Sequence, residues 1–419
     1  MRISVLSFHM KPIILSPVFL KHSTRTIRCA SRFVWTMGIS GCLQTLTGIT
    51  AAAQPAEGTP APSNIGQSGY PRILPDNRVV FQVRAPNAGQ VQINLGRMYD
   101  LRKDDSGVWT ATTAPQVPGF HYYSLVIDGV SVSDPVSESY FGTGRMSSAI
   151  EIPETGVDFY TVKDVPHGDI RSKCYFSKFT SSWRRLYVYT PPGYDKDTRK
   201  KYPVLYIQHG GGEDETGWAV QGRTDIILDN LIAAGKATPM LVVIANGNVY
   251  SPGGARGGGG GYSSAGMAGF ADELLNNIVP FIESNYRVKA GAKNRALAGL
   301  SMGGGQVFYV GLGHKDKFGS VGVFSTGLFG GISTAAARPF DAEEQMPGIL
   351  TYAKSFNDSL KVFYISVGEQ DPRLEPTKKA VADFKSHGLN VEFASFPGGH
   401  EWQVWRKSLH DFAQRIFKP

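Results

Sequence analysis

The chain has 419 residues, 42% hydrophobic and 19% charged, which suits two globular domains with a sizeable core. Its formal charge of +8 is concentrated at the N-terminus, since residues 1–53 carry six basic and no acidic side chains and leave 37 basic against 35 acidic residues elsewhere. This distribution argues against a nucleic-acid-binding surface. The sequence also lacks a His, Cys or Asp cluster with metal-ligand spacing, so we expect no metal and no other cofactor.

The first 53 residues have the features of an export signal. Basic residues end at Arg32 and are followed by an apolar stretch that ends in three alanines, a pattern typical of a signal cleaved after Ala53. The stretch is too short and too polar for a membrane span. Residues 39–42, Ile-Ser-Gly-Cys, also match a lipoprotein signal, which would leave Cys42 acylated as an outer-membrane anchor. We therefore expect an exported protein, secreted or periplasmic.

Residues 54–67 are rich in Pro, Ala, Gly and Ser and are predicted to form a linker. Residues 68–153 then alternate apolar and polar positions in short runs separated by turn signals, which predicts an all-β sandwich. The predicted strands are 78–84, 90–95, 108–112, 120–127 and 130–132. Trp109 is interpreted as a core residue rather than a sugar-stacking platform. We expect this domain to pack on the rest of the chain and to shape one edge of its cleft through residues 141–146.

Residues 154–419 alternate strand and helix patterns, which predicts a parallel sheet covered on both faces. The main predicted strands are 184–189, 203–208, 241–245, 295–298, 361–367 and 391–396, and the main predicted helices are 224–234 and 267–286. Residues 326–359 interrupt this rhythm and are expected to lie over the active site. The glycine-rich run 253–261 lacks the Gly-Lys-Ser/Thr ending of a phosphate-binding loop and is interpreted as a surface loop.

The motif Gly299-Leu300-Ser301-Met302-Gly303 predicts a nucleophilic serine. It follows one apolar run and precedes another, an arrangement typical of a strand, a tight turn and a helix. Such a turn strains the serine and places its hydroxyl above the sheet, and the glycines leave the necessary space. An ordinary glycine-rich turn is the alternative interpretation.

Ser301 requires a base and an acid that orients the base, and in this type of fold both follow the serine in the chain. Four of the nine histidines follow Ser301, and His400 is favoured because it comes directly after the predicted strand 391–396. The acid is expected after the preceding strand, where Asp371 is favoured over Glu369 because it precedes a proline that can begin a helix. Helix capping is the alternative role for both His400 and Asp371.

An oxyanion hole is predicted where the strand 203–208 runs into the glycines of residues 209–212. Its candidate donors are the backbone amides of Met302 and of Gly211 or Gly212, because glycine lets the backbone approach a substrate closely.

Three further residues are candidate substrate contacts. His209 is expected to brace the glycine loop by hydrogen bonding without taking a proton from the substrate. Trp218 either lines the acyl pocket or packs beneath that loop. Arg145 belongs to the segment expected to shape the edge of the cleft.

Several of these motifs together resemble carbohydrate esterase family 1, which groups feruloyl esterases, acetylxylan esterases and esterase-D-like proteins. They are His209-Gly-Gly-Gly-Glu-Asp-Glu-Thr-Gly-Trp218, Asn246-Gly-Asn248, 281–288, 298–304 and 399–402, and the similarity spans roughly residues 164–419. The resemblance implies an α/β-hydrolase fold for residues 154–419. The earlier domain, with Gly107-Val108-Trp109 and 119–123, resembles carbohydrate-binding module family 48, an immunoglobulin-like sandwich.

The resemblance implies hydrolysis of an ester that decorates plant arabinoxylan, with ferulate as the expected acyl group and hemicellulose or its oligosaccharides as the partner. Ser301, His400 and Asp371 would then act as a triad through an acyl-enzyme. The alternatives are an acetylxylan esterase with a smaller acyl pocket, a siderophore-ester hydrolase with a cationic pocket, and a sugar-binding protein with a non-catalytic esterase fold.

Overall fold

The computed structural model describes residues 57–250, 263–331 and 339–418. These residues fall within one compact unit, Ala56–Pro419. The predicted export signal, the acylation at Cys42 and the glycine-rich run 253–261 lie outside the described residues. Across the described part of the chain, no helix is both long and apolar enough to span a membrane.

The N-terminal part consists of two β-sheets. The first has the strand order β1-β2-β3-β7-β6, and the second has the order β10-β11-β8-β4-β5 with β9 paired to β8. The strands are β1 (Thr59–Pro60), β2 (Arg72–Ile73), β3 (Val79–Arg84), β4 (Val91–Leu95), β5 (Arg97–Asp100), β6 (Arg102–Lys103), β7 (Val108–Thr112), β8 (Gly119–Ile127), β9 (Val130–Val132), β10 (Ser139–Gly142) and β11 (Arg145–Ile152).

One hydrophobic core lies between these two sheets. Phe81 and Trp109 enter it from the first sheet, and Ile93, Tyr123 and Ile150 enter it from the second. The period-two alternation of the strands explains this, because every second side chain of a strand points to the same face. Trp109 is 7% exposed and donates its indole N–H to the Ala85 carbonyl at 2.8 Å. The interpretation of Trp109 as a core residue is confirmed.

The prediction of a linker over residues 54–67 is wrong for residues 57–67, the part that the structure describes. Thr59–Pro60 pairs with Arg72–Ile73 as the edge of the first sheet. Ser63 is buried and its hydroxyl donates to the Ala149 carbonyl at 2.7 Å. Small residues and prolines are typical of linkers, but they are equally suited to a short edge strand when the neighbouring strand supplies backbone partners.

The C-terminal part contains one eight-stranded sheet with the order β12-β13-β15-β14-β16-β17-β18-β19. β12 and β13 are antiparallel to their neighbours, and β14 to β19 are parallel to one another. The strands are β12 (Asp169–Ser177), β13 (Ser182–Thr190), β14 (Val204–Gln208), β15 (Leu241–Ala245), β16 (Arg295–Leu300), β17 (Ser320–Phe324), β18 (Val362–Gly368) and β19 (Val391–Phe396).

Helices cover both faces of this sheet, as expected for an α/β-hydrolase-like fold. They are α1 (Thr216–Ala219), α2 (Thr224–Ala233), α3 (Ser264–Asp272), a π-helical segment (Glu273–Ile278), α4 (Val279–Asn285), α5 (Met302–Gly313), α6 (Ala342–Gln345), α7 (Ala353–Ser359), α8 (Leu374–Ser386) and α9 (Trp402–Ala413). Helices α2 and α9 contribute to one core, and α3, α5 and α8 contribute to the other. Strand β14 is fully buried because Leu205 and Ile207 face the first core while Val204 and Tyr206 face the second.

The N-terminal sheets pack directly against the C-terminal part. Phe120 and Ala149 of the second sheet belong to the same core as Trp218 and Trp402. Around them, the buried Arg406 guanidinium contacts both carboxylate oxygens of Glu151 at 2.8 and 3.0 Å. The expectation that the β domain packs on the rest of the chain is confirmed by these contacts.

Candidate active site

Ser301 lies on a strained turn between β16 and α5. Its φ of 52° and ψ of −114° are unusual for a residue with a side chain. A Cβ at Gly299 would lie 2.7 Å from the Gly303 carbonyl oxygen, and a Cβ at Gly303 would lie 2.4 Å from the His209 carbonyl oxygen. Both glycines of the motif are therefore required by close backbone contacts, as the sequence predicted.

The structure brings Ser301, His400 and Asp371 together at the carboxyl ends of three parallel strands. Ser301 follows β16, Asp371 follows β18 and His400 follows β19. His400 Nε2 is 2.9 Å from Ser301 Oγ, and His400 Nδ1 is 2.7 Å from Asp371 Oδ2. With Asp371 ionised, Nδ1 carries the proton and donates to the carboxylate, which leaves Nε2 free to accept the proton of the Ser301 hydroxyl.

The environment of Asp371 favours the ionised carboxylate. Burial raises its pKa, but the hydrogen bond and charge of His400 and the contacts of Arg373 outweigh burial and hold the pKa below its usual value. Arg373 donates its backbone N–H and its guanidinium to Asp371 Oδ1, both at 3.0 Å. The alternative acid, Glu369, is exposed, and Asp371 is the described carboxylate that bonds His400 Nδ1.

Residues 209–213, which we call the 209–213 loop, follow β14 and run beside Ser301. The buried imidazole of His209 braces this loop: its Nδ1 donates to the Gly210 carbonyl at 2.7 Å, and its Nε2 accepts from the Gly247 amide at 3.0 Å. Burial lowers the pKa of His209, which keeps the imidazole neutral. His209 is 0% exposed, so it braces the loop as predicted, and the prediction that it contacts the substrate is wrong.

The two glycines offered as oxyanion donors differ in their surroundings. Gly211 lines the cavity that contains Ser301, whereas Gly212 lies against Thr143 and Gly144 of the β10–β11 turn. No described residue accepts a hydrogen bond from the Gly211 amide. Met302 is the first residue of α5, directly after Ser301. Of the two glycines left open by the sequence, Gly211 is therefore the better placed as a donor.

Glu213 is the last residue of the 209–213 loop, and no sequence pattern predicted it as a site residue. Its carboxylate Oε2 accepts from the Gly210 amide at 3.2 Å. Burial raises the pKa of Glu213 to about 7, against the lowering effects of the Gly210 amide, the Trp402 indole and the Tyr122 hydroxyl. The side chain thus lies buried beside the Ser301 cavity, with one carboxylate oxygen tied to the loop backbone.

A cavity of about 740 Å³ opens over Ser301 and His400. Trp402 and Trp405 of α9 form part of its wall, and Trp405 lies edge-on to the His400 ring at 5.1 Å. The N-terminal sheets supply the opposite wall, including Tyr99, Gln116, Phe120, His121 and Tyr122. A planar aromatic group with a few polar substituents is the kind of ligand such a surface suits.

Two predicted substrate contacts lie elsewhere. Trp218 is 0% exposed and donates its indole N–H to the Gln208 carbonyl at 2.9 Å, so it packs beneath the 209–213 loop, the second of its two predicted roles. Arg145 is exposed and does not line the cavity, and the prediction for it is wrong. Only Thr143 of the predicted edge segment reaches the cavity.

The sequence did not identify the cavity residues of the N-terminal sheets as site residues. Tyr99 lies on β5 and Gln116 in the segment between β7 and β8, and the two meet only in three dimensions, where Gln116 Nε2 donates to the Tyr99 hydroxyl at 3.1 Å. Arg97 lies over the Tyr99 ring at 4.7 Å. Nothing in the local sequence marks these residues, since tyrosines and arginines on short strands are common.

Comparisons with known proteins place this site in context. A family model described as a putative esterase matches residues 177–416. An endo-1,4-beta-xylanase/feruloyl esterase of Xylanibacter ruminicola is 38% identical over 377 residues, which are 86% of this chain and 47% of that protein. An endo-1,4-beta-xylanase Y of Acetivibrio thermocellus is 30% identical over 42% of this chain and 16% of its own. The chain thus spans about half of the first relative and less of the second.

Solved structures agree with the fold. A CE1 ferulic acid esterase from Anaeromyces mucronatus, in complex with ferulic acid, is 26% identical with a TM-score of 0.52, and the match covers 64% of this chain and 98% of that one. An enterochelin esterase from Shigella flexneri has a TM-score of 0.60 over 83% of this chain and 95% of that one. At 16% identity the latter likeness concerns the fold alone.

Proposed function

We propose that this chain, which belongs to the esterase family and is a carboxylic-ester hydrolase, removes feruloyl groups from plant arabinoxylan with Ser301 as its nucleophile. The observation that carries the proposal is the continuous hydrogen-bonded row from Ser301 through His400 to Asp371, beside a cavity that aromatic side chains line in part. A hydroxyl, an imidazole and a carboxylate in this order provide the nucleophile, the base and the group that orients the base.

In the proposed reaction, His400 Nε2 takes the Ser301 proton while Oγ attacks the ester carbonyl. The amides of Met302 and Gly211 stabilise the negative charge that develops on the carbonyl oxygen. Asp371 holds the imidazole in the tautomer that accepts at Nε2 and supports the positive charge of the imidazolium. His400 then gives this proton to the departing sugar oxygen as the ester C–O bond breaks. Water, activated by His400, next attacks the acyl-enzyme, which releases the carboxylic acid and restores the Ser301 hydroxyl.

The character of the cavity supports a hydroxycinnamoyl substrate over its rivals. Phe120, Tyr99 and Trp405 contribute aromatic side chains to the lining, which suits an aromatic acyl group, whereas an acetyl group would use little of the cavity volume of about 740 Å³. The lining also includes one arginine, Arg97, together with two carboxylates, Glu213 and Glu401. That balance of charges does not favour an anionic catecholate ligand. The name of the Xylanibacter ruminicola relative supports the same acyl group.

Ser301→Ala tests the mechanism. We expect the variant to lose essentially all hydrolysis of methyl ferulate and 4-nitrophenyl acetate while remaining folded by circular dichroism. Ser325→Ala is the matched control, because Ser325 is also buried at the carboxyl end of a central strand and its hydroxyl has no partner among the described residues. Retained hydrolysis in Ser301→Ala would refute the assignment.

Wild-type rates on methyl ferulate, acetylated xylan and a catecholate triester test the substrate. We expect the highest kcat/KM on methyl ferulate. A preference for acetylated xylan or for the triester would replace the proposed substrate while leaving the mechanism in place. Absence of hydrolysis on every ester would favour a sugar-binding protein with an esterase fold.

The proposal extends to the N-terminal part. We propose that its two sheets form an immunoglobulin-like sandwich related to carbohydrate-binding module family 48, supported by the single core between them. Export, with Cys42 as a candidate lipid anchor, is proposed from the composition of residues 1–53. Mass spectrometry of the N-terminus of protein recovered from producing cells tests the export proposal, and an unprocessed N-terminus would contradict it.

A further inference from the structure

We propose that the N-terminal β domain takes part in catalysis, because Tyr122 and the Thr143–Gly144 turn are positioning residues that hold the 209–213 loop at the oxyanion site. The inference rests on the proposed esterase mechanism and gives the β domain a role in it beyond lining the cavity. Two independent sets of contacts, one through the backbone and one through side chains, support it.

The backbone contact comes from the turn that joins β10 to β11. Thr143 and Gly144 have φ values of 55° and 78°, both positive as a two-residue hairpin turn requires. The Gly144 amide donates to the Gly212 carbonyl at 2.7 Å. Gly212 has a φ of 77°, and a Cβ there would lie 3.0 Å from that amide nitrogen, so a side chain at this position would strain the contact. The turn therefore fixes the peptide group between Gly212 and Glu213, one residue beyond Gly211.

The side-chain contacts centre on the Tyr122 hydroxyl, which comes from β8. This oxygen accepts from Gln221 Nε2 at 2.9 Å and from Trp402 Nε1 at 3.2 Å. Its own proton is then free for another acceptor, and the Glu213 carboxyl lines the same cavity as Tyr122. The Tyr122 hydroxyl also lowers the pKa of Glu213, as a donor to its carboxylate would. Glu213 in turn accepts from the Gly210 amide. Hydrogen-bonding groups thus lead from Tyr122 of β8 through Glu213 to the amide of Gly210, the residue before Gly211.

The local packing leaves Tyr122 little freedom to move. A Cβ at Gly142 would lie 2.3 Å from the Tyr122 hydroxyl, so the tyrosine fills the space that this glycine leaves. The Gln221 side chain that donates to Tyr122 also donates to the Phe141 carbonyl at 2.9 Å. Rigid support of this kind matters because a donor stabilises the oxyanion only if it is already in place when the charge develops.

The test compares Tyr122→Phe with Tyr140→Phe. The first removes a hydroxyl that faces the loop and keeps the ring. The second removes a hydroxyl from the adjacent hairpin of the same domain, where Tyr140 donates to Glu138 at 2.6 Å. We expect Tyr122→Phe to lower kcat about tenfold on both methyl ferulate and 4-nitrophenyl acetate, with KM unchanged. Tyr140→Phe should retain the wild-type kcat on both esters.

A second variant tests the backbone contact without touching the core. Two glycines inserted between Thr143 and Gly144 lengthen an exposed turn, which proteins usually tolerate, and withdraw the Gly144 amide from Gly212. We expect a similar fall in kcat on both esters with an unchanged circular dichroism spectrum. A double-mutant cycle between Tyr122→Phe and Glu213→Gln should show that the two effects on kcat are not additive, because both act on the same amide.

Three results would overturn the inference. The first is a wild-type kcat in both Tyr122→Phe and the insertion variant. The second is a rise in the KM of Tyr122→Phe for methyl ferulate alone, which would make Tyr122 a substrate contact. The third is additive effects of Tyr122→Phe and Glu213→Gln on kcat. Failure of the proposed function is a different observation, since it requires an inactive wild type or an active Ser301→Ala.

Discussion

Replacing Glu213 by glutamine should change the free energy of unfolding by an amount that depends on pH. Relative to wild type, the variant should be more stable at pH 8 than at pH 5. Burial raises the pKa of this carboxyl from its usual 4.5 to about 7. Between these two values the folded protein holds a proton that the unfolded chain has released, so stability falls as the pH rises. The contribution of protonated Glu213 is fully present below pH 4.5 and is lost as the pH rises through about 7.

The size of the effect follows from the two pKa values. At 1.36 kcal/mol per pKa unit, the difference between 4.5 and about 7 corresponds to about 3 kcal/mol. The glutamine side chain has no charge at either pH, so it avoids this cost above pH 7. Its altered hydrogen bonds to Gly210 and Tyr122 affect stability equally at both pH values. The difference between variant and wild type should therefore shift in favour of the variant by about 3 kcal/mol between pH 5 and pH 8.

Urea unfolding followed by tryptophan fluorescence at pH 5 and pH 8 provides the measurement. Other titrating groups are shared by both proteins and cancel in the difference. Ser325→Ala serves as the control, since it removes no titrating group and should differ from wild type by the same amount at both pH values. A Glu213→Gln difference that does not change with pH would refute the argument, because the carboxyl would then be ionised throughout this range.

The remaining predictions concern buried groups away from the nucleophile. Arg406→Met should lower the free energy of unfolding by about 3–5 kcal/mol. The reason is that Glu151 and the Gln221 carbonyl lose a buried partner, since Arg406 is only 1% exposed. Urea unfolding measures the effect, and a loss below about 1 kcal/mol would contradict the prediction. Trp218→Phe should cost about 1–3 kcal/mol by leaving the Gln208 carbonyl unpaired, with an unchanged KM for methyl ferulate. A large rise in that KM would indicate that Trp218 lines the acyl pocket instead.

Much of the central architecture could be predicted from the sequence because it is encoded locally. Strand β15 is found at the predicted residues 241–245, since an uninterrupted apolar run between turn signals leaves few alternatives, and strand β19 is found at the predicted residues 391–396. The turn at Ser301 was predictable for a similar reason, because only glycine fits at positions 299 and 303. The expected order of serine, acid and histidine along the chain then limited the candidate acid and base to residues that follow Ser301.

Other strands could not be predicted from local patterns. Strand β12 (Asp169–Ser177) is largely exposed at the edge of its sheet and so lacks an apolar signature. β1 was hidden in a segment whose composition is typical of linkers. In both cases the strand is stabilised by a partner strand, and the partner is not apparent from the residues of the strand itself.

The sequence by itself determined the nucleophile turn, the candidate triad and the layered α/β arrangement, because each depends on residues close together in the chain or on a fixed chain order. Only the tertiary structure decided between Asp371 and Glu369, between Gly211 and Gly212, and between the two roles of Trp218. It also brought Tyr122 to Gln221, 99 residues further along the chain, and so made the β domain a wall of the active site. Contacts of this kind depend on how two sheets pack against each other, and side-chain periodicity specifies which face of a strand is buried but not which distant residue covers it.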